Sequence, residues 1–226
     1  MMMNFSMLSK SVLFRGIEPG ELEEMLRCLQ ARARTYKKGE RILRVGQAVA
    51  EMGLVLTGGV TIESDDVWGN RTVLDHVGPG QSFAEAYACA PGEPLMVEVV
   101  AAENCEALFL NVERVMTTCP SACAHHNRLV GNLLAATAQK NLVLTRRMFH
   151  ISPKTIRGKL LAYLSDRAIR QGSYRFEIPF NRQQLADYLG VDRSALSNEI
   201  SKMTRDGLLR CERNVFTLSE RAPEGM

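Results

Sequence analysis

PFNRQQLADYLGVDRSALSNEISKMTRDG, residues 179–207, is built as two helices joined by a tight corner. Asn181 is placed to cap the first helix, and Gln184 three residues on completes a capping box. Leu185, Ala186 and Leu189 form its inward stripe, and Gly190-Val191 turns the chain. Asp192 caps the second helix, whose apolar residues Leu196, Ile200 and Met203 recur at i, i+4 and i+7. Its opposite face carries Arg193, Ser194, Ser197, Asn198, Ser201 and Arg205. The small Ala186 lets the helices approach closely, and Gly190 supplies the positive φ at which the first helix stops. A short, polar, cationic face is what entry into a major groove requires. The pattern is a helix-turn-helix signature; the competing reading is an ordinary helical hairpin with a solvated face, so the surrounding chain must decide.

On the C-terminal side, Leu208–Cys211 and Val215–Leu218 flank Glu212-Arg213-Asn214 as a hairpin, which reads as the wing of a winged helix. The final residues, ERAPEGM, carry no packing pattern. On the N-terminal side, Arg175–Ile178 is a short strand, and Lys154–Gln171 is an amphipathic helix with Ile156, Leu160, Leu161, Leu164 and Ile169 inward. Gly172 ends that helix, and Pro153 suits its start. Phe149–Pro153 is expected to be a break between this helix and a longer one upstream.

That longer helix spans 121–148. Val130, Leu134, Thr137, Asn141, Leu144 and Met148 alternate spacings of four and three, the seam of a coiled coil, with Leu133 and Leu142 beside it. One face of such a helix can lie on its own chain; a seam of this length is expected to meet a second copy. Asn141 would then fix register at some expense of stability.

Between Tyr36 and Leu110 the texture is different. Short β-branched and aliphatic runs (41–45, 53–56, 60–63, 72–76, 97–101 and 107–110) are cut by Gly39, Gly46, Gly58-Gly59, Gly69-Asn70, Gly78-Pro79-Gly80 and Pro91-Gly92. Many short strands with regular turns predict a small antiparallel sandwich or barrel, with a hairpin at Gly69-Asn70. Residues 5–32 read as helical, with Leu22, Met25, Leu26 and Leu29 at helical spacing after Pro19-Gly20.

Composition bounds the rest. A chain of 226 residues, 46% hydrophobic and 23% charged, can bury one large core or two small ones. No apolar run approaches the ~18 residues of a membrane span. The N-terminus MMMNFSMLSK lacks the basic region and cleavage site of an export signal, and six irregularly spaced cysteines suggest reduced thiols, so a cytoplasmic location is expected. The formal charge is only +3, but residues 149–226 hold 13 Lys+Arg against 9 Asp+Glu, so the basic surplus lies with the reading helix.

The order β-roll, long helix, hinge and winged helix-turn-helix closely resembles the CRP/FNR superfamily of bacterial transcription regulators. The segments that carry the likeness are YKKGERILRVGQ (36–47), MGLVLTGGVTIES (52–64) and NRQQLADYLGVDRSALSNEISKM (181–203). The resemblance implies an α+β chain with an N-terminal double-stranded β-roll (a cupin-like jelly roll, residues 1–118), a dimerisation helix (119–148) and a C-terminal winged helix-turn-helix (149–226). It implies double-stranded DNA, a small-molecule effector, a second copy of the chain and RNA polymerase as partners. Within it Arg193, Ser194 and Asn198 are the candidates for reading bases, while Arg182, Ser197, Lys202 and Thr155 are candidates for phosphate contacts, weighed against simple solvation. The rival reading is a nucleotide-, metal- or redox-sensing regulatory module acting through protein contacts; Arg193, Lys202 and Arg205 argue against a degenerate reading helix.

Departures from the family pattern matter as much. Its cyclic-nucleotide binders carry Gly-Glu and then Arg-Ser or Arg-Thr, the Arg neutralising the cyclic phosphate. In GQSFAEAYACAPGEPLMVEVVA (80–101) Glu85 is retained, but Ala84 replaces the Gly, and Leu95-Met96 align with Arg-Ser. A buried phosphate with no charge partner costs several kcal/mol. Glu85, Leu95 and Met96 are therefore expected to line a pocket for a less anionic effector than cAMP or cGMP. Cys28 is the only cysteine before Cys89, so the N-terminal cluster of the family's iron-sulfur sensors is missing. Cys119, Cys123 and His126 would share one helix face, a partial zinc or haem site lacking a fourth ligand; packed thiols and solvated histidines are the expectation, with no metal and no cofactor. His76 stands alone before residue 125, and no catalytic motif is present, so no enzyme is expected.

Overall fold

The computed structural model describes residues 8, 9, 11–117 and 124–219. It comprises two compact units, residues 1–139 and 140–226, and the boundary between them falls within one long helix.

In the first unit, helix α1 (Pro19–Cys28) precedes strands β1 (Arg32–Tyr36), β2 (Arg41–Leu43), β3 (Glu51–Thr57), β4 (Val60–Asp65), β5 (Arg71–Val77) and β6 (Ser82–Phe83). A single helical turn, α2 (Glu85–Ala88), leads to β7 (Glu98–Ala101), β8 (Cys105–Asn111) and the short helix α3 (Val112–Met116). Two four-stranded antiparallel sheets result, ordered β1-β8-β3-β6 and β2-β7-β4-β5: the antiparallel sandwich expected from the turn spacing, and the jelly roll that the resemblance implies.

The central strands of the first sheet are buried on both faces, which explains their nearly unbroken apolar sequence. Met52, Leu54 and Leu56 of β3, with Leu108 and Leu110 of β8, face a helical layer formed by Phe14, Leu22, Leu26 and Val115. The alternate residues Val55, Ala107 and Phe109 face the second sheet, where they meet Val60 and Val99, with Leu95 and Phe83 packed in the same cluster. Gly53 is required here: a Cβ at that position would stand 2.0 Å from the Phe83 ring. Phe83 in turn meets Phe109 edge-on, with ring centroids 6.0 Å apart.

The long helix α4 (Ala124–Ile151) begins in this unit. Leu129 and Leu133 are buried in the helical layer, with Val130 packed beside them. Polar stitches fix the same half: the Asn132 amide donates to the carbonyls of Leu13 and Arg15, both at 2.9 Å. Arg128 donates to the Gly16 carbonyl, and His125 meets Glu21 at 2.9 Å.

The second unit contains the rest of α4 and helix α5 (Ile156–Gln171), strand β9 (Arg175–Glu177), helices α6 (Arg182–Leu189) and α7 (Arg193–Arg205), and strands β10 (Leu209–Glu212) and β11 (Val215–Leu218). The strands form a sheet ordered β10-β11-β9. Its core gathers Leu160, Leu164, Phe176, Leu185, Leu189, Leu196, Ile200, Met203 and Phe216.

Several expectations are corrected. After the Pro19-Gly20 break the helix covers Pro19–Cys28 and stops short of residue 32; Gln30 at φ 51 breaks the chain and residues 32–36 form an edge strand, while residues 5–7 and 10 lie outside the described residues. The break after the long helix is shorter than Phe149–Pro153, because α4 continues through Ile151 and stops where the Ser152 hydroxyl returns to the Met148 carbonyl. Ile169 is 80% exposed; Tyr163 and Ala168 occupy the inward face instead. The Gly69-Asn70 hairpin is real, but its loop is organised by Asp66, whose carboxylate accepts from the amides of Trp68 and Asn70 and from the Asn70 side chain. The expected start of the long helix at 121–123 lies outside the described residues.

Candidate nucleic-acid interface and effector site

The two-helix unit forms as its sequence dictates. The Asn181 side chain accepts from the Gln184 amide at 2.9 Å, and the Gln184 side chain accepts from the Asn181 amide at the same distance. Gly190 ends α6 at φ 61, in the left-handed region. Ala186 is fully buried between the helices.

Asp192 opens α7. One carboxylate oxygen accepts from the Ala195 amide at 2.8 Å and from the Ser194 hydroxyl at 2.5 Å. The Ser194 hydroxyl, then the Ala195 amide, holds the Asp192 carboxyl below its usual range. Ser194 thus has its proton committed to the cap and offers lone pairs outward. Leu196, Ile200 and Met203 are buried, while Arg193, Ser194, Asn198, Ser201, Lys202 and Arg205 are exposed and Ser197 is half-buried.

What holds this face in position is not legible in the sequence. Arg157 of α5 reaches behind α7, its Nε donating to Glu199 at 2.6 Å and its terminal nitrogen to Asp206 at 2.7 Å. One guanidinium therefore ties the middle of α7 and its C-terminal cap to α5, in the fork geometry that suits arginine.

The phosphate candidates occupy different settings. Lys202 is exposed on α7. Thr155 is the cap of α5, accepting from the Gly158 amide at 3.0 Å. Arg182 is half-buried against the wing, its guanidinium 5.9 Å from the Phe216 ring centroid and donating to Cys211 Sγ at 3.3 Å. Beside it opens a cleft of about 500 Å³ lined by Pro179, Phe180, Asn181, Arg182, Gln184, Arg213 and Asn214. Arg213, at the two-residue tip of the wing with φ 57, adds a cation that the helix pattern does not reveal. Its signal in the sequence is the Glu-Arg-Asn-Val turn between two apolar runs.

In the roll, Ala84 adopts φ 59 and ψ 9, the left-handed conformation that glycine favours. A residue with Cβ held in this conformation carries a strain of about 1–2 kcal/mol. Glu85 follows and is buried. Leu95 is buried in the interior between the sheets, held by backbone bonds from Gly46 to its carbonyl and from its amide to Gln47. Met96 is 74% exposed and does not line that interior. Met96 lies in the bend that precedes β7, so of the expected trio only Glu85 and Leu95 are buried. His76 is exposed on the edge strand β5.

Cys119 and Cys123 lie outside the described residues. His126 is buried, its Nε2 2.7 Å from the Val115 carbonyl, which fixes α4 to α3 rather than offering that nitrogen to a metal. No cluster of three ligating side chains occurs among the described residues.

Residues 33–120 match the family model of the cyclic nucleotide-binding domain, and residues 158–222 match that of the Crp-like helix-turn-helix domain. The chain is similar to transcriptional activator protein FnrL of Cereibacter sphaeroides, 25% identical over 195 residues that cover 79% of this chain and 73% of FnrL. Among solved structures, catabolite activator protein of Thermus thermophilus gives a TM-score of 0.51 at 24% identity, over 93% of this chain and 94% of that one. CprK complexed with OCPA gives 0.60 at 15% identity, over 86% and 89%. These two establish the fold; the family models and FnrL add the class. The capped reading helix, its wing and the jelly roll thus belong to one design, and the chain is a member of the CRP/FNR superfamily of transcription regulators.

Proposed function

We propose that the protein acts in the cytoplasm as a homodimer that binds an inverted-repeat DNA site under control of a small effector other than a cyclic nucleotide. One observation carries the dimer. On α4, Leu134, Leu144 and Met148 are 70, 66 and 64% exposed, at seam spacing that continues to Ile151. Three large apolar side chains on one stripe of a helix are left to water unless a second copy covers them. Val130 contributes less than expected, being half-buried on its own roll. The Thr137 hydroxyl bonds back to the Leu133 carbonyl, and Asn141 accepts from Thr145 within the helix.

Two copies of α7 then face DNA with two-fold symmetry, which demands half-sites about one helical turn apart. Arg193, Ser194 and Asn198 read base edges; Lys202, Ser197, Arg182 and Thr155 contact phosphates, and Arg213 joins them from the wing. RNA polymerase is the downstream partner.

The effector is argued from the roll. Leu95 occupies the interior where a cyclic phosphate would need a cation, and the approach of an anion to an apolar wall is unfavourable. cAMP and cGMP at millimolar concentration are expected to leave the melting temperature unchanged. A rise of several degrees with either would show ligand linkage and overturn the exclusion. The effector changes DNA affinity only through its different affinities for the two arrangements of the dimer.

A further inference from the structure

The last turn of α4 ends on a buried histidine. His150 is 3% exposed and sits in an aromatic box formed by Tyr163 of α5, Tyr188 of α6 and, behind them, Phe180. Its Nδ1 is 2.8 Å from the Tyr188 hydroxyl, and its ring meets Tyr163 edge-on with centroids 5.4 Å apart. Tyr188 is one residue from the end of α6, the first helix of the DNA-reading pair. A single imidazole therefore links the C-terminal end of the long helix to both helices on which the reading helix rests.

We propose, on the strength of the DNA-binding reading above, that His150 is a positioning residue for DNA binding. The neutral ring pins the end of α4 to the reading head, and its protonation loosens that joint.

The charges around the ring decide the sign. From α4 come Arg146 and Arg147; from α5 come Asp166 and Tyr163; from α6 comes Tyr188. Asp166 Oδ2 is 3.5 Å from His150 Nε2, longer than a good hydrogen bond, and shares its charge with Arg146 at 3.8 Å. Arg147 lies over the Tyr188 ring at 5.5 Å and donates to the Tyr188 carbonyl. With the Nε2 proton directed at Asp166, Nδ1 accepts from the Tyr188 hydroxyl. A second proton at Nδ1 reverses this hydrogen bond, since the Tyr188 hydroxyl can turn to accept. But it places a full charge on a ring only 3% exposed, beside Arg146 and Arg147 and with Asp166 already shared with Arg146. The phenols cannot relieve this by ionising, since burial pushes Tyr188 up and Tyr163 up to about 12. Burial likewise lowers the His150 pKa, against the weaker pull of Asp166. A group depressed in the folded state contributes fully above its unfolded value of about 6.5, and that contribution is lost as pH falls below it. The joint is therefore firm at neutral pH and weak in acid.

Two readouts on the full chain test this, one with DNA and one without. Wild type, His150→Phe and His150→Gln are compared at pH 7.5 and 5.5. Phe retains the edge-on ring without a titrating nitrogen, and Gln serves if Phe does not fold. For a site enriched from random DNA, wild-type affinity is expected to fall more than that of the variants, by up to about tenfold, the ceiling at pH 5.5 for a group whose ordinary value is about 6.5. Without DNA, protection of amides 146–152 from hydrogen exchange, corrected for intrinsic rates, is expected to fall by up to about tenfold in wild type and to stay level in the variants. If protection changes this way but no DNA is bound, the joint stands and the DNA-binding reading fails. If wild type and variants share one pH dependence in both readouts, the joint is overturned.

Discussion

Leu144→Asp is expected to leave a folded monomer that binds a full inverted-repeat site at least roughly a hundredfold more weakly than wild type. Leu144 is 66% exposed on α4, so the substitution removes nothing from either core of its own chain. In the proposed pairing it places two carboxylates within one apolar seam, where unpaired charge is strongly disfavoured. Without the second reading head, binding forfeits the effective concentration that links the half-sites, commonly worth a factor of 10²–10⁴. Sedimentation with binding titrations decides it. A variant that remains dimeric and binds normally would show that α4 does not form the interface.

Arg193→Ala is expected to act on what is read rather than on how tightly the backbone is held. Arg193 is exposed in the first turn of α7, held by the Asp192 cap and by the Arg157 clasp behind the helix. A bidentate contact from arginine to guanine contributes ~1–3 kcal/mol of discrimination, which the alanine variant forgoes at one base pair of each half-site. Lys202→Ala is the internal control. It leaves the preferred sequence unchanged and lowers the slope of log affinity against log salt by about 0.9 for each phosphate it no longer neutralises. Equal effects of the two substitutions on sequence preference would refute this division of labour.

The sequence is most informative where the determinants are local. The Asn181–Gln184 box, the Gly190 stop and the Asp192 cap are each set by residues within three or four positions, and all three form. The i, i+4, i+7 spacing of Leu196, Ile200 and Met203 likewise marks the buried face of α7. Long-range pairing is harder to see. Strand β1, RARTY, has four exposed residues and no alternation, because it is an edge strand recruited by β8, so nothing local marks it. Hydrophobicity alone places Ile169 inward, yet the smaller Ala168 and the aromatic Tyr163 fill that face. Adjacency groups Met96 with Leu95, whereas the bend at residues 96–97 leaves Met96 exposed beside a buried Leu95.

The interactions that make the site work belong to the same invisible class. Arg157 meets residues 42 and 49 positions away, and His150 meets one 38 positions away. Both look like ordinary surface or linker residues in the sequence. Ala84 shows the converse. Its identity departs from glycine while its φ of 59 does not, so the turn is set by the surrounding fold rather than by the residue occupying it.

The DNA-binding account of this regulator requires α7 to be presented twice, with two-fold symmetry, to duplex DNA. Selection from a random double-stranded oligonucleotide pool by the full-length protein, with and without extracts containing small metabolites, measures this directly. The predicted outcome is an enriched inverted repeat whose half-site centres lie about 10 base pairs apart, or a multiple of that. Enrichment of a single half-site, or of no sequence at all under every condition, would contradict it.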